Sequence, residues 1–329
     1  MPLSKGVLLV NLGTPDTPSN KDVFRYLNEF LTDPRVIDYP WLKRQLLVRG
    51  IIVPFRYKAS AASYREIWDE RGSPLKYHTF DAAEKLQAIL KGDYQVEVAM
   101  RYQNPSIRSA LQKLKGVKEL TVIPLFPQYA SATTGSVFDK VMEEITKWQI
   151  LPKLKMIDAF YNHPKVIQAF AQNAKPFELT SYDKVLFSFH GLPVRQLKKA
   201  SLVCKRDPDC CQKNFCCYSA QSYKMADLIA QELNLAKDRY EICFQSRLGK
   251  EPWIEPYTSD VIRRLSKEGA KKLLVFCPAF VADCLETIHE IGVEYNEEFQ
   301  ASGGERIDLV PSLNSSDTWV EALKVLTLA

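Results

Sequence analysis

The chain has 329 residues, 46% of them apolar and 25% charged, a balance that argues against disorder and a length that suits two domains of ordinary size. Its formal charge of +5 is small for that length and its basic residues are scattered, so nucleic acid is not indicated as a partner, while an acidic small ligand stays compatible. The opening MPLSKGVLLVNLGTP enters a strand at once, without the regions of a secretory leader, and no apolar run is long enough to span a bilayer. A cytoplasmic protein is expected, with membrane contact peripheral at most.

In chain order, strands are expected at residues 6–12, 94–100, 120–124, 153–157, 185–189, 240–244, 272–276 and 306–310. Helices are expected at 21–31, 61–70, 80–90, 135–148, 164–174, 220–233, 259–267, 281–298 and 317–326. Before the segment SIRSALQKLK, Asn104-Pro105 offers a capping side chain and then a proline for the first turn, and Gly116 closes that helix. Alternation of the two element types predicts an α/β fold with parallel sheets.

Two overlays suggest an internal duplication. VLLVNLGTP lies on VLFSFHGLP, with Val7 on Val185 and Gly13 on Gly191, and GVKELTV from Gly116 lies on GAKKLLV from Gly269. Two Rossmann-like halves, residues 1–155 and 156–329, are therefore expected to face each other across a ligand cleft. Gly13 to Gly116 is 103 positions and Gly191 to Gly269 is 78, so the first half carries an excess of 25. The insertion is placed at 41–57, WLKRQLLVRGIIVPFRY. Its mixture of apolar residues with Lys43, Arg44, Arg49 and Arg56 suits either an ordinary amphipathic helix or a lip over an apolar, acidic ligand or a membrane surface.

The stretch KVLFSFHGLP places His190 at the carboxyl end of a buried parallel strand, where open α/β sheets build binding crevices. On position alone a satisfied structural histidine is an equal reading. Glu286, Glu290 and Glu294 recur every four residues and so share one face of the expected helix, soon after the strand at 272–276. Such rows are usually solvated. A histidine and a carboxylate in one crevice, with further carboxylates leading away, would suit a hard divalent cation and proton movement.

Five of the eight cysteines, Cys204, Cys210, Cys211, Cys216 and Cys217, fall in one short stretch, whereas Cys243, Cys277 and Cys284 are dispersed. In a reducing compartment they read as a metal site rather than disulfides. They lack the paired C-x-x-C spacing of zinc ribbons, and the residues themselves leave zinc and an iron–sulfur cluster open.

FSFHGLP, FPQYASATTGS from Phe126, FQSRLGKEPWIEP from Phe244 and VADCLETIHEIGVEY from Val281 resemble the ferrochelatase family, whose members insert ferrous iron into a porphyrin to make haem. The likeness spans nearly the whole chain and is closest to bacterial members with an internal cysteine-rich insert. It implies the chelatase fold, two halves around a porphyrin cleft, and Fe2+ as a substrate. His190 stands at the family's active-site histidine and Glu286 at its catalytic glutamate. Glu290 and Glu294 match an acidic ladder relaying metal or protons. Tyr64, Ser73, Arg101, Tyr102, Tyr129, Ser131 and Trp253 match positions that line the porphyrin or hold its propionates. Cys284 departs from members that have histidine two residues before the glutamate.

Because some members carry a [2Fe-2S] cluster after the histidine motif, the resemblance implies one here on Cys204, Cys210, Cys211 and Cys217, with Cys216 in reserve. No obligate protein partner is evident. A chelatase of the same fold acting with cobalt or on coproporphyrin, or a metal or haem binder without turnover, are the competing readings.

Overall fold

The computed structural model describes residues 4–200, 217–249 and 251–329. Among them are eight strands in two four-stranded sheets, every pairing parallel. The first sheet joins β1 (Lys5–Gly13), β2 (Tyr94–Tyr102), β3 (Glu119–Pro124) and β4 (Lys153–Met156) in the order β2-β1-β3-β4. The second joins β5 (Lys184–His190), β6 (Tyr240–Gln245), β7 (Lys272–Phe276) and β8 (Arg306–Leu309) in the order β6-β5-β7-β8. Central parallel strands covered on both faces read as unbroken apolar runs. Accordingly Val7, Leu8, Leu9 and Val10 of β1 and Val185, Leu186, Phe187 and Phe189 of β5 are fully buried.

The strand order is the same in both sheets, and so is the register. Val7 stands opposite Thr121 in the first sheet, and Val185 stands opposite Leu274 in the second. One overlay from the sequence equates Val7 with Val185 and the other equates Thr121 with Leu274. Two alignments drawn separately therefore meet in a single pairing, as a duplication requires. Gly116 and Gly269, the shared glycines of the second overlay, both have φ +99°, a conformation that lets the chain leave a helix without a Cβ penalty.

Each sheet anchors its own unit. One comprises Met1–Phe126, Ala130–Asp158 and Ser315–Ala329; the other comprises Pro127–Tyr129 and Ala159–Asn314. The carboxyl-terminal helix Asp317–Leu328 belongs to the first unit, where Lys155 of β4 donates to the carbonyls of Leu326 (3.0 Å) and Thr327 (3.4 Å) and Lys85 pairs with Asp317 (2.8 Å). A single cut after residue 155 does not describe this return, because contacts so distant in sequence leave no local signal.

Helices Asn20–Leu31, Ser136–Ile145, Pro164–Asn173, Tyr218–Glu232 and Thr258–Lys267 stand within a few residues of their expected places, and Pro74–Leu90 begins six residues before its expected start. Three segments differ. Expected helix 61–70 is the end of one helical run that starts at Trp41, with α-helix Trp41–Leu47, a π-helical stretch Val48–Ile52 and α-helix Val53–Ile67. Helix Ile107–Lys113 is capped by Ser106, whose Oγ accepts from the Ser109 N–H (3.2 Å), while the Asn104 amide donates to Asp16 (2.9 Å). Expected helix 281–298 is instead a π-helix, Leu285–Tyr295, followed by α-helix Asn296–Ala301.

Among the described residues the second unit has no helical run corresponding to the one from Trp41. That run's inner residues Val48 and Val53 pack with Leu31, while Trp41, Leu42, Leu46, Ile51 and Phe55 stay exposed. Arg44, expected among the basic residues of a lip, is buried and donates to the Tyr39 carbonyl (2.8 Å). In both units the connection after the third strand of the repeat begins as a π-helix and continues as an α-helix. After β3 these are Ser131–Gly135 and Ser136–Ile145; after β7 they are Leu285–Tyr295 and Asn296–Ala301.

Candidate active site

In the second sheet the chain runs from β5 to β6 on one side and returns to β7 on the other, so the crevice between the carboxyl ends of β5 and β7 is a topological switch point. His190 is the last residue of β5, and the π-helix carrying Glu286 follows β7. The expected pair is thus brought to one end of one sheet. His190 is half-buried, with Trp253 and Phe280 near its ring at centroid distances of 6.2 and 6.3 Å. Its Nδ1 lies 2.6 Å from the Gly191 carbonyl oxygen. A carbonyl only accepts, so Nδ1 carries the proton and Nε2 is the basic nitrogen of the neutral ring. The buried Tyr218 donates to the His190 carbonyl (2.8 Å). Burial pushes the Tyr218 phenol far above its ordinary pKa and keeps it a donor.

Gly191 is fixed by close approach. A Cβ there would lie 2.9 Å from the Gln245 carbonyl oxygen and 3.1 Å from Trp253 Cε3. The segment bearing Trp253 is tied back to the histidine loop, the Val194 N–H donating to the Pro252 carbonyl (2.9 Å) and the Ile254 N–H to the Leu192 carbonyl (3.0 Å). Trp253 is buried against this loop, and its indole N–H has no hydrogen-bond acceptor among the described residues.

The π-helix is held at its start and its middle. The Cys284 N–H donates to Thr287 Oγ1 (3.0 Å), and Thr287 donates in turn to Asp283 (3.0 Å), which also accepts from the Asn314 amide (2.7 Å). Cys284 is therefore the amino-terminal cap residue of the π-helix. Its thiol is pushed well up, first by burial and then by the charge of Glu286. Burial likewise raises the Cys243 thiol to about 12 and the Cys277 thiol well up, so the three dispersed cysteines are protonated and inert.

In the middle, Glu290 accepts four hydrogen bonds: from the Ser246 N–H (2.7 Å), Ser246 Oγ (2.6 Å), Gln245 Nε2 (3.1 Å) and the Tyr295 hydroxyl (3.1 Å). Burial first, then the Glu290 charge, raises the Tyr295 phenol and keeps it protonated. Glu286 and Glu290 are half-buried and Glu294 is exposed. A π-helix turns once in roughly 4.4 residues, so the four-residue row still trails along one side. His289, buried and absent from the sequence reading, lies 3.5 Å from Glu294, five positions on, a spacing that makes neighbours in a π-helix. Among the described residues no group of three His, Cys, Asp or Glu side chains is placed to hold a metal ion.

The remaining expected residues divide between the units. In the second, the Tyr129 N–H donates to the Gln221 side chain (2.7 Å). In the first, Tyr64 and Ser73 are buried and Ser131 accepts from Arg35 (2.9 Å). Arg101 donates to Asp33 Oδ2 (2.5 Å) and Ser136 Oγ (2.6 Å), and Tyr102 donates to the same Asp33 oxygen (2.9 Å). Asp33, Ser136, Gln245 and Ser246 carry no sequence signal, because each acts through a partner tens of residues away, and Tyr295 meets Glu290 only because five positions make neighbours in a π-helix. Cys204, Cys210, Cys211 and Cys216 lie outside the described residues; Cys217 is buried at the amino-terminal cap of helix Tyr218–Glu232.

Comparison with known proteins identifies the family. The family model described as Ferrochelatase matches residues 4–329. A Legionella pneumophila (strain Lens) protein named Ferrochelatase is 45% identical over 328 residues, covering 98% of each chain. A Coxiella burnetii (strain Dugway 5J108-111) protein of the same name is 44% identical, over 97% of this chain and 91% of its own length. The solved structure of SirB from Bacillus subtilis with Fe3+ overlays with a TM-score of 0.57 at 11% identity, covering 99% of this chain and 94% of that one, a likeness of fold alone. With the family's sequence pattern running from end to end and the fold of a chelatase beneath it, the chain belongs to the ferrochelatase family.

Proposed function

We propose that the protein is a lyase of haem biosynthesis that inserts Fe2+ into protoporphyrin IX to give protohaem, with His190 and Glu286 as the groups that act on the reacting ring. The observation that carries this is the 2.6 Å contact between His190 Nδ1 and the Gly191 carbonyl oxygen, which assigns the ring proton to Nδ1. With Nδ1–H held by the Gly191 carbonyl, Nε2 is left as a base at the switch point to which the Glu286 helix also comes. Insertion releases two pyrrole protons for each cation bound, so an imidazole and a carboxylate match the stoichiometry. Glu290 and Glu294 extend the carboxylate row to the exposed Glu294 and are proposed to relay protons or metal. Trp253 and the positions Tyr64, Ser73, Arg101, Tyr102, Tyr129 and Ser131 are proposed to hold the macrocycle and its propionates, where binding energy offsets ring distortion. Anaerobic incubation with Fe2+ and protoporphyrin is expected to quench porphyrin fluorescence and produce the haem spectrum. An unchanged porphyrin spectrum would overturn the proposal, and Co2+ and coproporphyrin arms identify a related chelatase instead.

The helical run from Trp41 is proposed as a lip for porphyrin and for peripheral membrane contact, from its exposed Trp41, Leu42, Leu46, Ile51 and Phe55 beside exposed Lys43, Arg49 and Arg56. Among the described residues no helix is long and apolar enough to cross a membrane. Replacing Leu46, Leu47 and Ile51 by serine is expected to raise the porphyrin KM with little change in melting temperature. A collapse of the melting temperature would show that these residues belong to the core.

A [2Fe-2S] cluster on Cys204, Cys210, Cys211 and Cys217, with Cys216 in reserve, remains part of the proposal. Support for it is the place of Cys217, the one of these cysteines among the described residues, at the positive end of a 15-residue helix, which favours a thiolate and a cluster's negative charge. Next to it Tyr218 holds the His190 carbonyl, a link by which the cluster segment would support the site. Anaerobically purified protein is expected to be red-brown, with about two irons and two acid-labile sulfides per chain. A colourless protein containing stoichiometric zinc would refute the cluster.

A further inference from the structure

Gln245, the last residue of β6, touches the main chain on both sides of the proposed pair. It is 1% exposed, and its amide has one orientation. Ser188 Oγ donates to Oε1 (2.8 Å), so Nε2 faces the acceptors, the main-chain carbonyl of Glu286 (2.8 Å) and the Glu290 carboxylate (3.1 Å). Gln245 is also the ladder partner of His190, and its own carbonyl accepts from the Gly191 N–H (2.8 Å). One side chain therefore spans from the end of β5 to the first turn of the π-helix.

The first unit contains the same backbone arrangement. β2 ends at Tyr102 and is followed by Gln103 at φ +66°; β6 ends at Gln245 and is followed by Ser246 at φ +66°. Each left-handed residue gives its N–H to a carboxylate, Gln103 to Glu29 (3.1 Å) and Ser246 to Glu290 (2.7 Å). Each loop then returns to its strand, the Pro105 carbonyl accepting from Met100 (2.7 Å) and the Pro256 carbonyl from Phe244 (2.9 Å). The strand-end clamp is thus a property of the repeat. What differs in the second unit is its target: the carboxylate lies on the π-helix that carries Glu286. An 11-residue π-helix is far longer than the single-turn form usually found, and side-chain anchors of this kind stabilise it.

We infer that Gln245 is a positioning residue for metal insertion, fixing the Glu286 main chain relative to His190, with Glu290 anchoring the same clamp. This rests on the roles given to His190 and Glu286 above. In anaerobic steady-state assays Gln245→Ala is expected to lower kcat about 10²-fold, with the porphyrin KM moving less than about threefold and the melting curve near that of the parent. Gln245→Glu keeps the shape but loses the donor to the Glu286 carbonyl and faces Glu290 with a second carboxylate; it is expected to fall as far, and it carries the test should the alanine variant not fold. Glu286→Gln is measured alongside. If it remains active, the reading of the site itself fails. If it is inactive while both Gln245 variants turn over within about threefold of the parent, the positioning role is overturned and the reading of the site stands.

Discussion

His190→Ala is expected to lower kcat for iron insertion by about 10²-fold or more while leaving porphyrin binding in place, because it removes a proton acceptor and little of the binding surface. The ring's position is set from several directions. Its Nδ1–H is held by the Gly191 carbonyl, its main-chain carbonyl by Tyr218, and Trp253 and Phe280 lie beside it. Glu286→Gln is expected to act alike, since it removes the charge and basicity of the carboxylate with almost no change of shape. The Gln245 contact to the main-chain carbonyl of residue 286 survives that substitution, so a loss of activity reports on the carboxylate itself. Rates and porphyrin binding measured on the same preparations check both. Near-normal turnover in either variant would remove that residue from the chemistry.

The largest effect on stability is expected at Asp33. Its Oδ2 accepts from Arg101 Nη2 (2.5 Å), the Tyr102 hydroxyl (2.9 Å) and Ser136 Oγ (2.5 Å), and its Oδ1 accepts from the Arg35 N–H (2.7 Å). The carboxylate thereby joins the turn after helix Asn20–Leu31 to the end of β2 and the start of helix Ser136–Ile145. Burial, and next the Asp33 charge, push the Tyr102 phenol far up, so it stays a donor across the working pH range. Asp33→Ala would leave the half-buried guanidinium of Arg101 without its counter-charge, and the about 3–5 kcal/mol that breaking a fully buried pair costs is the upper bound of the loss. Denaturant unfolding of the variant is expected to show that loss as a lower midpoint with an unchanged slope. A loss below about 1 kcal/mol would mean that Arg101 finds another partner and that the network is peripheral to the fold.

The sheets were legible because buried parallel strands write themselves as apolar runs, and the duplication was legible because two short overlays fixed one register. His190 was placed by the run VLFSF in front of it and the Gly-x-Pro stop behind it. The π-helix was not legible. Leu285–Tyr295 has the composition of an α-helix, and its wider turn goes with anchors such as Gln245 and Ser246, some 40 positions earlier in the chain. For the same reason Asp33 and Ser136 were missed: the hydrogen bond between them spans 103 positions. Arg44 looked like its basic neighbours in the sequence, and only the fold buries it. Asn104 offered the chemistry of a cap two residues early; Ser106 takes that place because its oxygen meets the Ser109 N–H.

The number of porphyrins metallated per chain tests the central claim most directly. With Fe2+ and protoporphyrin in large excess over protein, under anaerobic conditions, protohaem is expected to accumulate linearly through many equivalents, in a reaction lost in Glu286→Gln. Formation that stops at one equivalent per chain would contradict it and leave a porphyrin and metal binder in place of an enzyme.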